Sequence, residues 1–140
     1  MSVSCQLLVS LSIGLCLLGV TACDEKSPVA PTIPLSQRFA LAPGDSATVE
    51  GLSLRVQFLR VSGDSRCPAD ALCIQGGDAI VHVRITGTVT ADYELHTGGP
   101  PQSVVTSTGY RIELVELQPY PFSSRTISPG DYRATLVVTR

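Results

Sequence analysis

The sequence predicts an all-β domain, a small antiparallel β-sandwich of about seven or eight strands with one short-loop disulfide. Three observations carry that prediction. From Ser36 onward, apolar residues recur with a period of two rather than 3.6. Turn signals separate the runs: Pro43-Gly44-Asp45, Gly63-Asp64, Gly76-Gly77, Gly98-Gly99-Pro100-Pro101 and Pro129-Gly130-Asp131. No stretch offers the spacing of a three-turn helix; at most, Pro68–Leu72 makes a single turn.

The chain of 140 residues divides into three parts. Residues 1–22 look like a signal peptide, because Leu7–Val20 is an apolar run of 14 residues. A membrane-spanning helix needs about 20, whereas a signal-peptide core needs fewer. The run ends in Val20-Thr21-Ala22-Cys23, which resembles the lipobox of bacterial lipoproteins. That resemblance implies acylation at Cys23, with two or three chains on one residue, enough for lasting attachment to a membrane. Residues 23–36 then form a tether, with Pro28, Pro31 and Pro34 at every third position. This spacing favours an extended polyproline II path. The folded domain is expected over residues 37–140.

Within that domain Leu52, Leu54, Val56 and Phe58 alternate with polar residues. The phase slips at Phe58-Leu59, so a β-bulge is expected there. Ala79, Val81, Val83 and Ile85 share one face, which turns His82 and Arg84 outward. Tyr110, Ile112 and Leu114 share another, and Leu117 again breaks phase. Tyr132, Ala134, Leu136 and Val138 line the last strand. Shorter strands are expected at Arg38–Leu41, Ser46–Val49, Asp92–His96 and Ser103–Thr106. Pro129-Gly-Asp-Tyr132 resembles the tyrosine corner of immunoglobulin-like sandwiches.

The loop between the first two long strands, Asp64-Ser-Arg-Cys67-Pro-Ala-Asp-Ala-Leu-Cys73, holds the cysteine pair of the mature domain. Cys5 and Cys16 leave with the signal peptide and Cys23 carries lipid, so Cys67 and Cys73 remain to pair outside the cytoplasm. Closing that ring stabilises by about 2.4 kcal/mol on the chain-entropy model. A metal site or redox-active pair is the competing assignment. It lacks both the C-x2-C spacing and a neighbouring histidine.

These same residues resemble a group of uncharacterised bacterial lipoproteins and exported proteins that share a D-S-R-C-P-x4-C-x3-G segment. Asp64, Ser65, Arg66, Cys67, Pro68, Cys73 and Gly77 match it. Leu117-Gln-Pro-Tyr-Pro121 and Tyr132 are also similar to that group. Many members are expected to carry a tryptophan two residues after the second cysteine, where this chain has Gln75. The resemblance implies an exported, lipid-anchored β domain and brings no activity with it.

Composition narrows the function classes. Ten Lys and Arg against twelve Asp and Glu give a net charge of -2, so no basic field exists to attract nucleic acid. Lys26 is the single lysine, which also argues against a polybasic membrane patch. No G-x-S-x-G or H-E-x-x-H motif accompanies His82 and His96, and both are expected on the surface. Asp64, Asp70 and Asp78 offer a weak calcium signal without a D-x-D-x-D-G run. No metal and no cofactor is therefore expected.

The candidate binding residues are Asp64, Arg66, Gln75, Tyr120 and Phe122. Asp64 and Arg66 are expected to pair locally, Asp64 through a turn and Arg66 with Asp64 or Asp70. The sharper alternative presents Arg66 to a partner from a braced loop. The expected function is that of a non-enzymatic lipoprotein in the bacterial cell envelope, lipid-anchored and extracytoplasmic. Its partners would be the membrane, through the N-terminal lipid, and an envelope protein or polysaccharide. The alternative is an inhibitor of an extracytoplasmic hydrolase, acting through the 64–77 loop.

Overall fold

The computed structural model describes residues 30–106 and 108–140. The expected signal peptide, the expected lipidation site Cys23 and the expected tether up to residue 29 lie outside the described residues. The rest forms two sheets. The five-stranded sheet has the order β1 (Thr32–Ile33), β3 (Ser46–Val49), β4 (Arg55–Asp64), β5 (Ala79–Thr86), β6 (Thr90–His96). The four-stranded sheet runs β2 (Arg38–Leu41), β9 (Arg133–Thr139), β8 (Arg111–Gln118), β7 (Ser103–Val105). The described residues contain no α-helix, only a 3-10 turn at Pro129–Asp131.

All eight expected strands form, with ends displaced by a few residues. The ninth, β1, lies inside the stretch expected to be tether: it pairs with β3, and Ile33 joins the core. That pairing is parallel, the one departure from an antiparallel fold. Leu52 and Leu54 continue the apolar alternation but precede β4, because the turn at 50–53 reverses the chain before pairing begins.

The inner faces meet as the periodicity requires. Val56 and Phe58 of β4, Val81 and Val83 of β5, and Leu95 of β6 are fully buried. Ile112, Leu136 and Val138 are equally buried in the other sheet. Both phase slips in the sequence are irregularities of register. The β4–β5 pairing shifts between Phe58 and Arg60 and again between Val61 and Gly63. The β8–β9 pairing shifts between Leu114 and Glu116. An extra residue there restores Leu117 to the core and turns Glu116 outward.

His82 corrects one expectation. It points outward, yet its side chain is only 13 % exposed. β5 is central, and Arg60 on β4 and Glu94 on β6 flank His82 across the ladder. Its Nε2 is buried without a hydrogen-bond partner.

Candidate functional site: the disulfide loop and the cleft beside it

Residues 64–78 leave β4, make an excursion and return to β5. Cys67 and Cys73 are joined, with their Cα atoms 6.0 Å apart. The neck of the loop is closed by the Ser65 N–H donating to the Asp78 carbonyl at 2.7 Å. The Asp78 N–H returns a bond to the Ser65 hydroxyl at 3.1 Å. Gly77 is required here, since a Cβ would collide with the Ser65 carbonyl. Pro68–Ala71 makes one tight turn, with the Ala71 N–H donating to the Pro68 carbonyl at 3.1 Å.

Arg66 is not presented to solvent. Its residue is 8 % exposed, and its guanidinium makes four hydrogen bonds within the protein. Nε and Nη2 hold the Asp64 carboxylate at 2.9 and 2.7 Å. Nη1 donates to the Leu117 carbonyl at 2.6 Å, and Nη2 to the Pro119 carbonyl at 2.9 Å. The Tyr120 ring lies over the guanidinium, 5.4 Å to the centroid. The idea of a displayed basic residue is therefore wrong, because carbonyls from the distant 117–119 segment draw the side chain inward. Local pairing with Asp64 is right. Asp70 goes elsewhere, accepting from the Ser123 N–H and hydroxyl at 2.8 and 2.5 Å.

Asp64 also accepts from the Arg66 N–H at 3.2 Å and from the Tyr132 hydroxyl at 3.1 Å. Burial alone would push its pKa up, but the Arg66 hydrogen bonds and charge hold it below the ordinary value. Burial and the Asp64 charge raise the Tyr132 phenol in turn. The tyrosine opening the last strand thus fastens to the loop rather than to the backbone just upstream.

The other candidates are at the surface. Gln75 is exposed on the returning limb. Tyr120 and Phe122 are 46 % and 44 % exposed, on a segment that lies against the disulfide loop. The Ala69 N–H donates to the Pro121 carbonyl at 2.9 Å and, with Asp70–Ser123, ties the two together. Sequence reasoning passed over the most exposed apolar residues, Leu72 and Ile74, at 105 % and 104 %. The only signal was their position on either side of Cys73, where the ring leaves no strand to bury them.

Beside the loop opens a cleft of about 410 Å³. It exists because β7 is short: its pairing with β8 ends at Ser103 and Glu113. Beyond that, the β8 edge that faces β7 carries the Leu114 N–H to Gln102 carbonyl bond and then the bond from Arg66 to the Leu117 carbonyl, while its other edge stays paired with β9. Gln102, Glu113, Glu116, His96 and Tyr120 are among its walls.

His96, expected on the surface, is partly buried, its side chain 22 % exposed and held by Asp78. Its Nδ1 lies 2.5 Å from Asp78 Oδ2. Asp78 Oδ1 accepts from the Thr97 and Gly98 N–H groups at 2.9 and 2.7 Å. Burial works against the Asp78 charge, but His96 and these donors outweigh it, so its pKa is lowered. Asp64, Asp70 and Asp78 therefore serve three separate tasks. No His, Cys, Asp or Glu group with metal-binding geometry occurs among the described residues. Chemically, the cleft offers carboxylates, an amide, an imidazole and an aromatic ring to a hydrogen-bonding ligand.

No protein-family model, curated protein or solved structure matches the chain.

Proposed function

We propose that this chain is a membrane-anchored lipoprotein of the bacterial cell envelope, a non-enzymatic binding module that engages an envelope polysaccharide through the cleft beside β8. The cleft is the observation that carries the reading. Tyr120 supplies a ring for stacking on a sugar, while Gln102, Glu113, Glu116 and His96 supply hydrogen-bonding groups around it. The walls are already ordered by Asp64–Arg66 and Asp78–His96, so binding orders little else. The lipobox-like Val20-Thr21-Ala22-Cys23 supports the anchor.

The test uses the full-length protein, with a photo-crosslinking residue at Gln102 or, as control, at Val89. Crosslinking in native membranes followed by mass spectrometry should yield saccharide adducts from position 102 alone, and Tyr120→Ala should abolish them. Equal labelling from both positions sinks the reading.

A second reading has its own support. Leu72 and Ile74 protrude from a braced loop, as a hydrolase inhibitor requires, although Arg66 no longer takes part. That reading expects a crosslinked envelope hydrolase from position 72 instead.

A further inference from the structure

Leu72 and Ile74, on either side of Cys73, stand wholly in solvent on the disulfide loop. Two side chains supply only part of the about 800 Å² that each partner gives to a stable protein interface. A fluid apolar phase makes no such demand on area. Across residues 67–76 the only ionisable side chain that is not a disulfide cysteine is Asp70, and Ser123 already holds it. Tyr120 and Phe122 are exposed on the segment tied to the loop, and aromatic rings favour a lipid headgroup layer.

The direction of the chain points the same way. β3 runs antiparallel to β4, with Ser46 opposite Gln57 and Thr48 opposite Arg55. β1 is parallel to β3, with Thr32 beside Thr48. The polypeptide therefore arrives at β1 from the side of the molecule where β4 ends in the disulfide loop. Ala30 stands at about the height of Gln57, and from there to Asp64 β4 rises roughly 23 Å. The seven residues from Ala30 back to Cys23 reach at most about 25 Å.

We infer that the disulfide loop is a second membrane contact: Leu72 and Ile74 enter the interface of the bilayer in which Cys23 is anchored. This rests on the lipoprotein reading above. It sets the sandwich with its disulfide end down, so the cleft opens close to the lipid surface and takes membrane-proximal ligands. With no Lys or Arg in the tip, the contact is apolar and needs no anionic lipid.

The chain contains no tryptophan, which makes a single introduced one a clean reporter. The acylated full-length protein would be reconstituted in phosphatidylcholine vesicles as Leu72→Trp, as Ile74→Trp and as Val89→Trp. Val89 is exposed in the β5–β6 turn at the far end of the sandwich. Expected are blue-shifted emission and several-fold stronger quenching by brominated lipid at positions 72 and 74 than at 89. Adding phosphatidylglycerol should change neither.

Water-like, unquenched emission at both tip positions overturns the inference, as does stronger quenching at 89. Shielding of the tip in native membranes but not in pure lipid indicates a protein occupant and also overturns it. Intact mass reads acylation separately. An unmodified Cys23 removes the anchor and this inference with it, whereas an acylated chain with an unquenched tip removes the inference alone.

Discussion

Arg66 Nη1 donates to the main-chain carbonyl of Leu117 at 2.6 Å, joining the neck of the disulfide loop to the end of β8. The same guanidinium neutralises Asp64, and both side chains are nearly buried, at 6 % and 10 % exposure. One side chain thus fixes three things: the loop, the bulged strand and the Tyr132 hydroxyl bound to Asp64.

Arg66→Ala should therefore lower stability by about 3–5 kcal/mol, because it strands a buried carboxylate and two carbonyls. Arg66→Lys should recover little, since an ammonium cannot reproduce the forked bonds. Denaturant midpoints measure both. A loss within the ±0.5 kcal/mol usual for surface substitutions would show that the clamp is dispensable.

Gly77→Ala should be strongly destabilising, by about 3 kcal/mol or more, since its methyl would meet the Ser65 carbonyl and not a yielding side chain. Gly76→Ala, one residue away, meets nothing within 4 Å and should be nearly neutral. Equal thermal midpoints for the two variants would contradict this account of the loop neck.

Reducing the Cys67–Cys73 bond, or replacing both cysteines with alanine, should remove about 2.4 kcal/mol. The fold should survive, because Asp70–Ser123 and Ala69–Pro121 still hold the loop down. Far-ultraviolet dichroism should keep its β signature while the thermal midpoint falls. Complete unfolding on reduction at room temperature would show that the sandwich depends on its staple.

Acid should weaken the protein in a defined direction. The folded-state pKa of Asp64 lies below its ordinary value: burial opposes the shift, and Arg66 more than offsets it. Asp78 is likewise lowered against burial, by His96 and the Gly98 and Thr97 donors. A depressed carboxylate contributes stability that is fully present above about pH 4 and disappears as pH falls through the folded pKa. Thermal midpoints should thus be flat from neutral pH to about 5 and drop below 4. Asp64→Asn should trail wild type most at neutral pH, and the gap should narrow in acid. A gap of unchanged size at pH 3 would rule out Asp64 as a contributor.

What the sequence determined by itself is the β architecture and the staple. Alternation at 52–58, 79–85 and 132–138 is a local record of which side chains face inward, and both phase slips mark shifts of register. Cys67 and Cys73 were legible because they are the two cysteines of the expected domain and lie only six positions apart. What only the tertiary structure decided is where long side chains end. Arg66 carries no local sign that carbonyls some fifty residues downstream will draw it inward. His96 carries none that Asp78 will hold it at a cleft. Thr32–Ile33 is a strand only because β3 offers an edge. Those contacts join residues distant in sequence, and periodicity, being local, holds no information about them. Leu72 and Ile74 are the converse case: apolar residues that composition would assign to a core, exposed on a loop that belongs to no strand.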